Sequence, residues 1–203
     1  MIKFLKKKFK EYKKKYHHYN LIANFSEIGR RYFVMNSFDG ILTIMGILVG
    51  SYFAGIMEAK TIIMTSVAAA VAMSVSGFWG TYLSEEAERK KALIELEKQT
   101  LHKLHNTKIQ KAGQFATYVV SFIDGASPLL ASMLVIIPFF FGAMITVKIM
   151  YMISLGIAFF LLIILGAYLG KISEENKILN AFKMVIAGVV CIGLIILLQI
   201  EHI

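Results

Sequence analysis

The amino-acid sequence predicts an all-α membrane protein with five transmembrane helices, and three observations lead there. Of the 203 residues, 57% are hydrophobic, with a mean hydropathy of +0.65, too apolar for the surface of a soluble globule of this size. Five runs, 33–57, 61–83, 113–141, 144–169 and 178–200, are each long enough to cross a hydrocarbon core of about 30 Å at about 1.5 Å per residue. The 22 lysines and arginines are sorted between alternate loops: ten precede the first run, seven lie between the second and third, three surround the fourth loop, and the opposite loops carry only Lys60 and Lys148. By the positive-inside rule this puts the N-terminus in the cytoplasm and the C-terminus outside. The net charge of +9 therefore reports topology and does not call for a nucleic-acid partner.

The elements follow in order. Residues 1–32 predict a basic amphipathic helix on the cytoplasmic membrane surface: Leu5, Phe9, Tyr12, Tyr16, Tyr19 and Ala23 alternate at spacings of four and three, with lysines on the other face. Polar and aromatic residues follow the basic stretch, in place of a short apolar core and cleavage site, so the first span is expected to stay in the mature chain. Spans one and two occupy 33–83, a charged cytoplasmic helix 84–112, and spans three to five 113–203. The single cysteine, Cys191, lies mid-span and is expected to pack; it excludes a disulfide framework or a zinc cluster of cysteines within one chain.

Two echoes predict an internal duplication. Asp39-Gly40 recurs as Asp124-Gly125, and Gly80-Thr81-Tyr82-Leu83 recurs as Gly166-Ala167-Tyr168-Leu169, each followed by an acidic pair, Glu85-Glu86 and Glu174-Glu175. A parallel repeat of one two-helix unit, spans one and two against three and four, accounts for both, and leaves the fifth helix without a counterpart.

The aspartates are the candidates for chemistry. A carboxylate deep in a spanning helix costs roughly 2.5–3.5 kcal/mol on insertion scales, so it needs a partner or a task. On the first span Asn36, Asp39 and Thr43 share a helical face with Gly46 and Gly50, and the glycines, continued by Ala54, form a small-xxx-small pattern that admits a second helix. On the third span Ser121, Asp124, Ser127 and Pro128 cluster; Pro128 has no N–H, which deprives the Asp124 carbonyl of its intrahelical donor. Carboxylate and carbonyl together suit a hard cation; the alternative is a kink, with Asp124 bonded to a neighbouring serine. The second span shows a smooth stripe of Ser66, Ala70, Met73, Gly77, Gly80 and Ser84, where Met73 is a soft donor or a packing residue. Beyond it, Glu85, Glu88, Glu95, Gln99 and His102 continue one helix into the cytoplasm. They form either a capture site for divalent cations or an ordinary solvated face, neutralised by Lys91 and Lys98 and opposite Leu93, Ile94, Leu96, Leu101 and Leu104.

Enzyme signatures are lacking. There is no phosphate-binding glycine loop and no His-Glu-x-x-His, and all five histidines lie outside the spans. Two intramembrane aspartates invite comparison with a protease dyad, but the order is Asp-Gly in both copies, whereas intramembrane aspartyl proteases carry Gly-x-Gly-Asp.

Asp39-Gly40-Ile41-Leu42-Thr43 followed by Leu48-Val49-Gly50 resembles the first-helix signature of the vacuolar iron transporter family, and Ile137-Pro138-Phe139 is similar to its proline-containing third helix. The resemblance covers residues 33–200. It implies five spans, a homodimer, and export of ferrous iron or manganese from the cytoplasm in exchange for protons, with Asp39 in the transport path. The family's second helix has a Ser-Met element and then Gly-Glu-Tyr; here Gly77 stands at the methionine position and Thr81 at the glutamate position. Its glutamate-rich cytoplasmic domain is reduced to residues 84–112.

These readings converge on a divalent metal transporter of a prokaryotic cell membrane. Its partners are the bilayer, Fe2+ or Mn2+ as cargo, protons and a second copy, with no permanently bound cofactor. Asp39 is the central ligand, Asn36, Thr43, Met73, Asp124 and Ser127 line the path, and Glu85, Glu88, Glu95 and His102 are the cytoplasmic capture residues. The competing reading is a non-transporting membrane scaffold in which both aspartates are structural.

Overall fold

The computed structural model describes residues 16–141 and 145–200. Among these there is no strand, and five long helices carry the chain: α1 (Phe25–Phe53), α2 (Ala59–Thr100), α3 (Lys108–Ile136), α4 (Val147–Ile172) and α5 (Lys177–Ile200), with a 3-10 turn, Ile137–Phe141, closing α3. All five are long and apolar enough to cross a membrane, as the hydropathy of the sequence requires. At 42 residues α2 reaches roughly 63 Å, about twice the hydrocarbon thickness, so its second half stands outside the core.

By internal contacts the chain divides into two compact units: one comprises the described residues to Tyr32 together with Gly77–Asp124, the other Phe33–Ser76 and the described residues from Gly125. In the first unit, Phe25 packs edge-on against Tyr16 (ring centroids 4.9 Å apart) and Phe115 (5.6 Å), and Tyr19 meets Phe115 at 5.5 Å. Part of the amphipathic face thus packs on protein, where Phe25 and Phe115 offer an aromatic surface with favourable edge-to-face geometry, while Tyr16 keeps 45% of its surface exposed. Leu5, Phe9 and Tyr12 lie outside the described residues.

The second unit has a core of Ile41, Ile44, Met45 and Leu48 from α1 with Val135, Ile136, Phe139, Tyr151 and Leu162. Its helices are brought close by glycine, as membrane packing demands when lipid supplies no hydrophobic drive. A Cβ on Gly166 would lie 2.5 Å from the Ala181 Cα, and one on Gly170 2.7 Å from the Lys177 Cα, so α4 and α5 form a hairpin with touching backbones. The turn between them ends α4 with Glu175 N–H donating to the Gly170 carbonyl (3.1 Å) and Glu174 in the left-handed region (φ 56°), a helix end usually left to glycine. Tyr151 ties the α1–α2 connection down by donating to the Ile56 carbonyl (2.8 Å). Cys191 is half-buried on α5, its thiol 4.0 Å from the Leu42 carbonyl, a packing position.

Close approach on α1 occurs at a different glycine from the one its small-xxx-small pattern predicts. A Cβ on Gly40 would sit 2.8 Å from the Pro128 carbonyl oxygen and 2.9 Å from its Cα, whereas one on Gly46 would meet only the tip of Ile195 at 3.5 Å and one on Gly50 nothing within 4 Å. Spacing identifies glycines able to admit a helix, but only the tertiary arrangement selects the one that does.

Candidate transport site

Asp39 sits on α1 with its side chain exposed on the protomer surface, and it makes no hydrogen bond or ion pair among the described residues. Asn36 and Thr43, one turn to either side, are half-buried. The backbone beneath is fixed by the next residue: Gly40 lies against Pro128, and the Ser132 hydroxyl donates to the Gly40 carbonyl (3.3 Å). The Asp-Gly sequence thus has a division of labour, the glycine seating the helix and the aspartate presenting a carboxylate on its outer side.

Asp124 has a different setting in the first unit. It is only 4% exposed, and the hydroxyl of Thr81, 6% exposed, donates to its Oδ2. One turn earlier on α2, a Cβ on Gly77 would come within 3.3 Å of that oxygen and 3.4 Å of the Asp124 carbonyl. The carboxylate is hydrogen-bonded, and a threonine that no neighbouring spacing suggested is among its donors. α3 runs through Pro128 without interruption to Ile136. Thr81 was not among the residues the sequence nominated, since its partner is 43 positions away and no helical spacing connects them.

The remaining nominees are scattered. Met73 is half-buried on α2 within the second unit. Ser127 is buried and lines a cavity of about 370 Å³ in that unit, with Ser37, Ile41, Leu134 and Tyr168 among its walls. Those walls are almost entirely apolar, so the cavity has no ligand set for a cation.

The residues expected to capture a cation are dispersed along and beyond the end of α2. Glu85 is committed to an ion pair with Arg89 (2.9 Å), and Glu88 and Glu95 point to solvent. α2 ends at Thr100, and Leu101 turns into the left-handed region (φ 52°), which takes His102 off the helical stripe that the spacing predicts. Glu97 then caps the turn by accepting from the Leu104 N–H at 2.7 Å. Among the described residues no group of three or more histidine, cysteine or acidic side chains is placed to hold a metal.

A cluster the sequence reading passed over lies beside Thr81: Phe78 stacks with Tyr82, and Tyr82 meets Tyr118 at 5.4 Å, with Trp79 exposed alongside. The four-residue step from Phe78 to Tyr82 was the available signal. Amphipathic rings at the end of a span are the usual anchors at a membrane–water interface.

Comparison with known proteins bears on this arrangement directly. The model of the VIT family matches residues 30–121, a stretch that includes Asp39, Met73, Gly77 and Thr81 and stops short of Asp124. An uncharacterized protein of the archaeon Methanocaldococcus jannaschii is 33% identical over 172 residues, covering 83% of this chain and 87% of the relative. With five membrane-spanning helices and an intramembrane carboxylate already in view, these matches settle the family: the chain belongs to the VIT family, whose members carry metal ions across membranes and are not enzymes.

Proposed function

We propose that this protein exports a divalent cation, Fe2+ or Mn2+, from the cytoplasm in exchange for protons, and that it works as a homodimer with its N-terminus in the cytoplasm and its C-terminus outside. The observation that carries the reading is Asp39, a carboxylate on a spanning helix that faces out of the protomer with no partner among the described residues. Left against hydrocarbon it would cost roughly 2.5–3.5 kcal/mol; a water-lined path or a second copy over that face removes the cost.

Asp39 is the central ligand, flanked by Asn36 and Thr43, and it alternates between metal-bound carboxylate and protonated acid. A cation favours the charged form and an apolar medium the neutral one, so one group serves both cargoes. Met73 supplies a soft donor that suits iron or manganese better than calcium, Asp124 shares or relays charge, and Ser127 lies one turn beyond it on α3. The ion is cargo and not a resident cofactor. The archaeal relative supports a prokaryotic cell membrane as the location.

Purified protein in liposomes with a proton-sensitive dye inside tests the reading. Addition of Fe2+ or Mn2+ is expected to drive metal uptake and proton movement together, and Asp39→Asn is expected to abolish both. Metal exchange at the native rate in Asp39→Asn removes the proposed role.

A further inference from the structure

The structure assigns Thr81 a role in transport: it is a positioning residue that holds the carboxylate of Asp124 in its working orientation, with Gly77 supplying the clearance. The proposal rests on the transport reading above and extends it to a residue that sequence spacing did not nominate.

Three observations carry it. Thr81 and Asp124 are both almost fully buried, and the threonine hydroxyl donates to Oδ2, a bond between α2 and α3 and not within one helix. A buried hydrogen bond between groups on two different helices favours the carboxylate rotamer that meets the donor over the others. Gly77 lies one turn from Thr81 on the same face, and even a methyl group there would press on Oδ2 at 3.3 Å and on the Asp124 carbonyl at 3.4 Å. A longer side chain at position 77 would displace the carboxylate that Thr81 holds. The two small residues on α2 therefore form one device: a donor that fixes the acid, and a gap that lets it be fixed.

The chemistry of threonine adds a reason for this choice. Its hydroxyl has one proton to give to the carboxylate. Valine has the same shape and no donor.

The test compares Thr81→Val and Thr81→Ser in proteoliposomes loaded against Mn2+, each also built on Asp124→Asn. Loss of one buried hydrogen bond is expected to raise the half-saturating Mn2+ concentration of Thr81→Val roughly tenfold, with the maximal rate within about twofold. Thr81→Ser is expected to stay within about twofold of the native protein in both. On the Asp124→Asn background, Thr81→Val is expected to add nothing further, since a positioning residue acts only through the group it positions. If Thr81→Val does not reach the membrane, Thr81→Cys, a weak donor of similar size, takes its place with the same expected split. Native Mn2+ dependence in the valine or cysteine variant, or an undiminished effect on the Asp124→Asn background, overturns the proposal alone. A native chain that moves no metal overturns the transport reading and this proposal with it.

Discussion

The two Asp-Gly pairs have the same sequence and opposite surroundings. Asp39 is exposed on its helix and unpartnered among the described residues, while Asp124 is 4% exposed and accepts a hydrogen bond from Thr81. A carboxylate in a membrane has to be compensated, and for Asp124 part of that compensation comes from another helix of the same chain, whereas Asp39 has no such partner among the described residues. The comparison teaches that the satisfied acid is the weaker candidate for a primary ligand, because binding an ion there means giving up or sharing a bond already made.

The sharpest way to break this contrast is substitution of the acids themselves. Asp39→Asn is expected to lower metal transport at least about a hundredfold while leaving thermal stability in detergent within about 0.5 kcal/mol, since an exposed group has no contact to lose. Asp124→Ala is expected to do the reverse in stability, costing roughly 1–3 kcal/mol as a buried hydroxyl is left without its acceptor, with a smaller fall in transport. Thermal melts and flux assays on the same preparations check both.

The glycines come next. Gly40→Ala puts a methyl group 2.8 Å from the Pro128 carbonyl, and is expected to cost about 1–3 kcal/mol by overpacking. Gly50→Ala meets nothing within 4 Å and should change protomer stability by less than about 0.5 kcal/mol. If Gly50→Ala instead shifts the monomer–dimer balance in analytical ultracentrifugation, the open face of α1 is a subunit contact. The smallest effect is expected for Glu88→Gln with Glu95→Gln: both are solvated, and the half-saturating metal concentration should move by less than about twofold.

Much of the architecture was legible because the bilayer imposes it. Five apolar runs and sorted lysines are one-dimensional signals, and the helices begin and end within a few residues of the expected spans, apart from α1, which starts earlier at Phe25, and α2, which runs on past the second span to Thr100. The site was less legible, since its distinctions depend on what lies opposite. Nothing in the spacing of Asp39 and Asp124 says which is covered. The donor to Asp124 comes from another helix, the close approach on α1 falls at Gly40 and not at Gly46 or Gly50, and His102 leaves its stripe because one leucine adopts positive φ. Tyr16 and Tyr19 show the same limit from another side: an amphipathic pattern specifies that a face is apolar, and leaves open whether lipid or Phe115 receives it.

α2 has one more consequence. It runs unbroken from Ala59 to Thr100 with no proline, so Thr81 and the charged C-terminal end are joined by a helix whose length is fixed at about 1.5 Å per residue. Such a helix does not absorb a push by bending at a joint. Within the stretch from Thr81 to Thr100, a tilt at the charged end would be carried along the helix to the hydroxyl that meets Asp124.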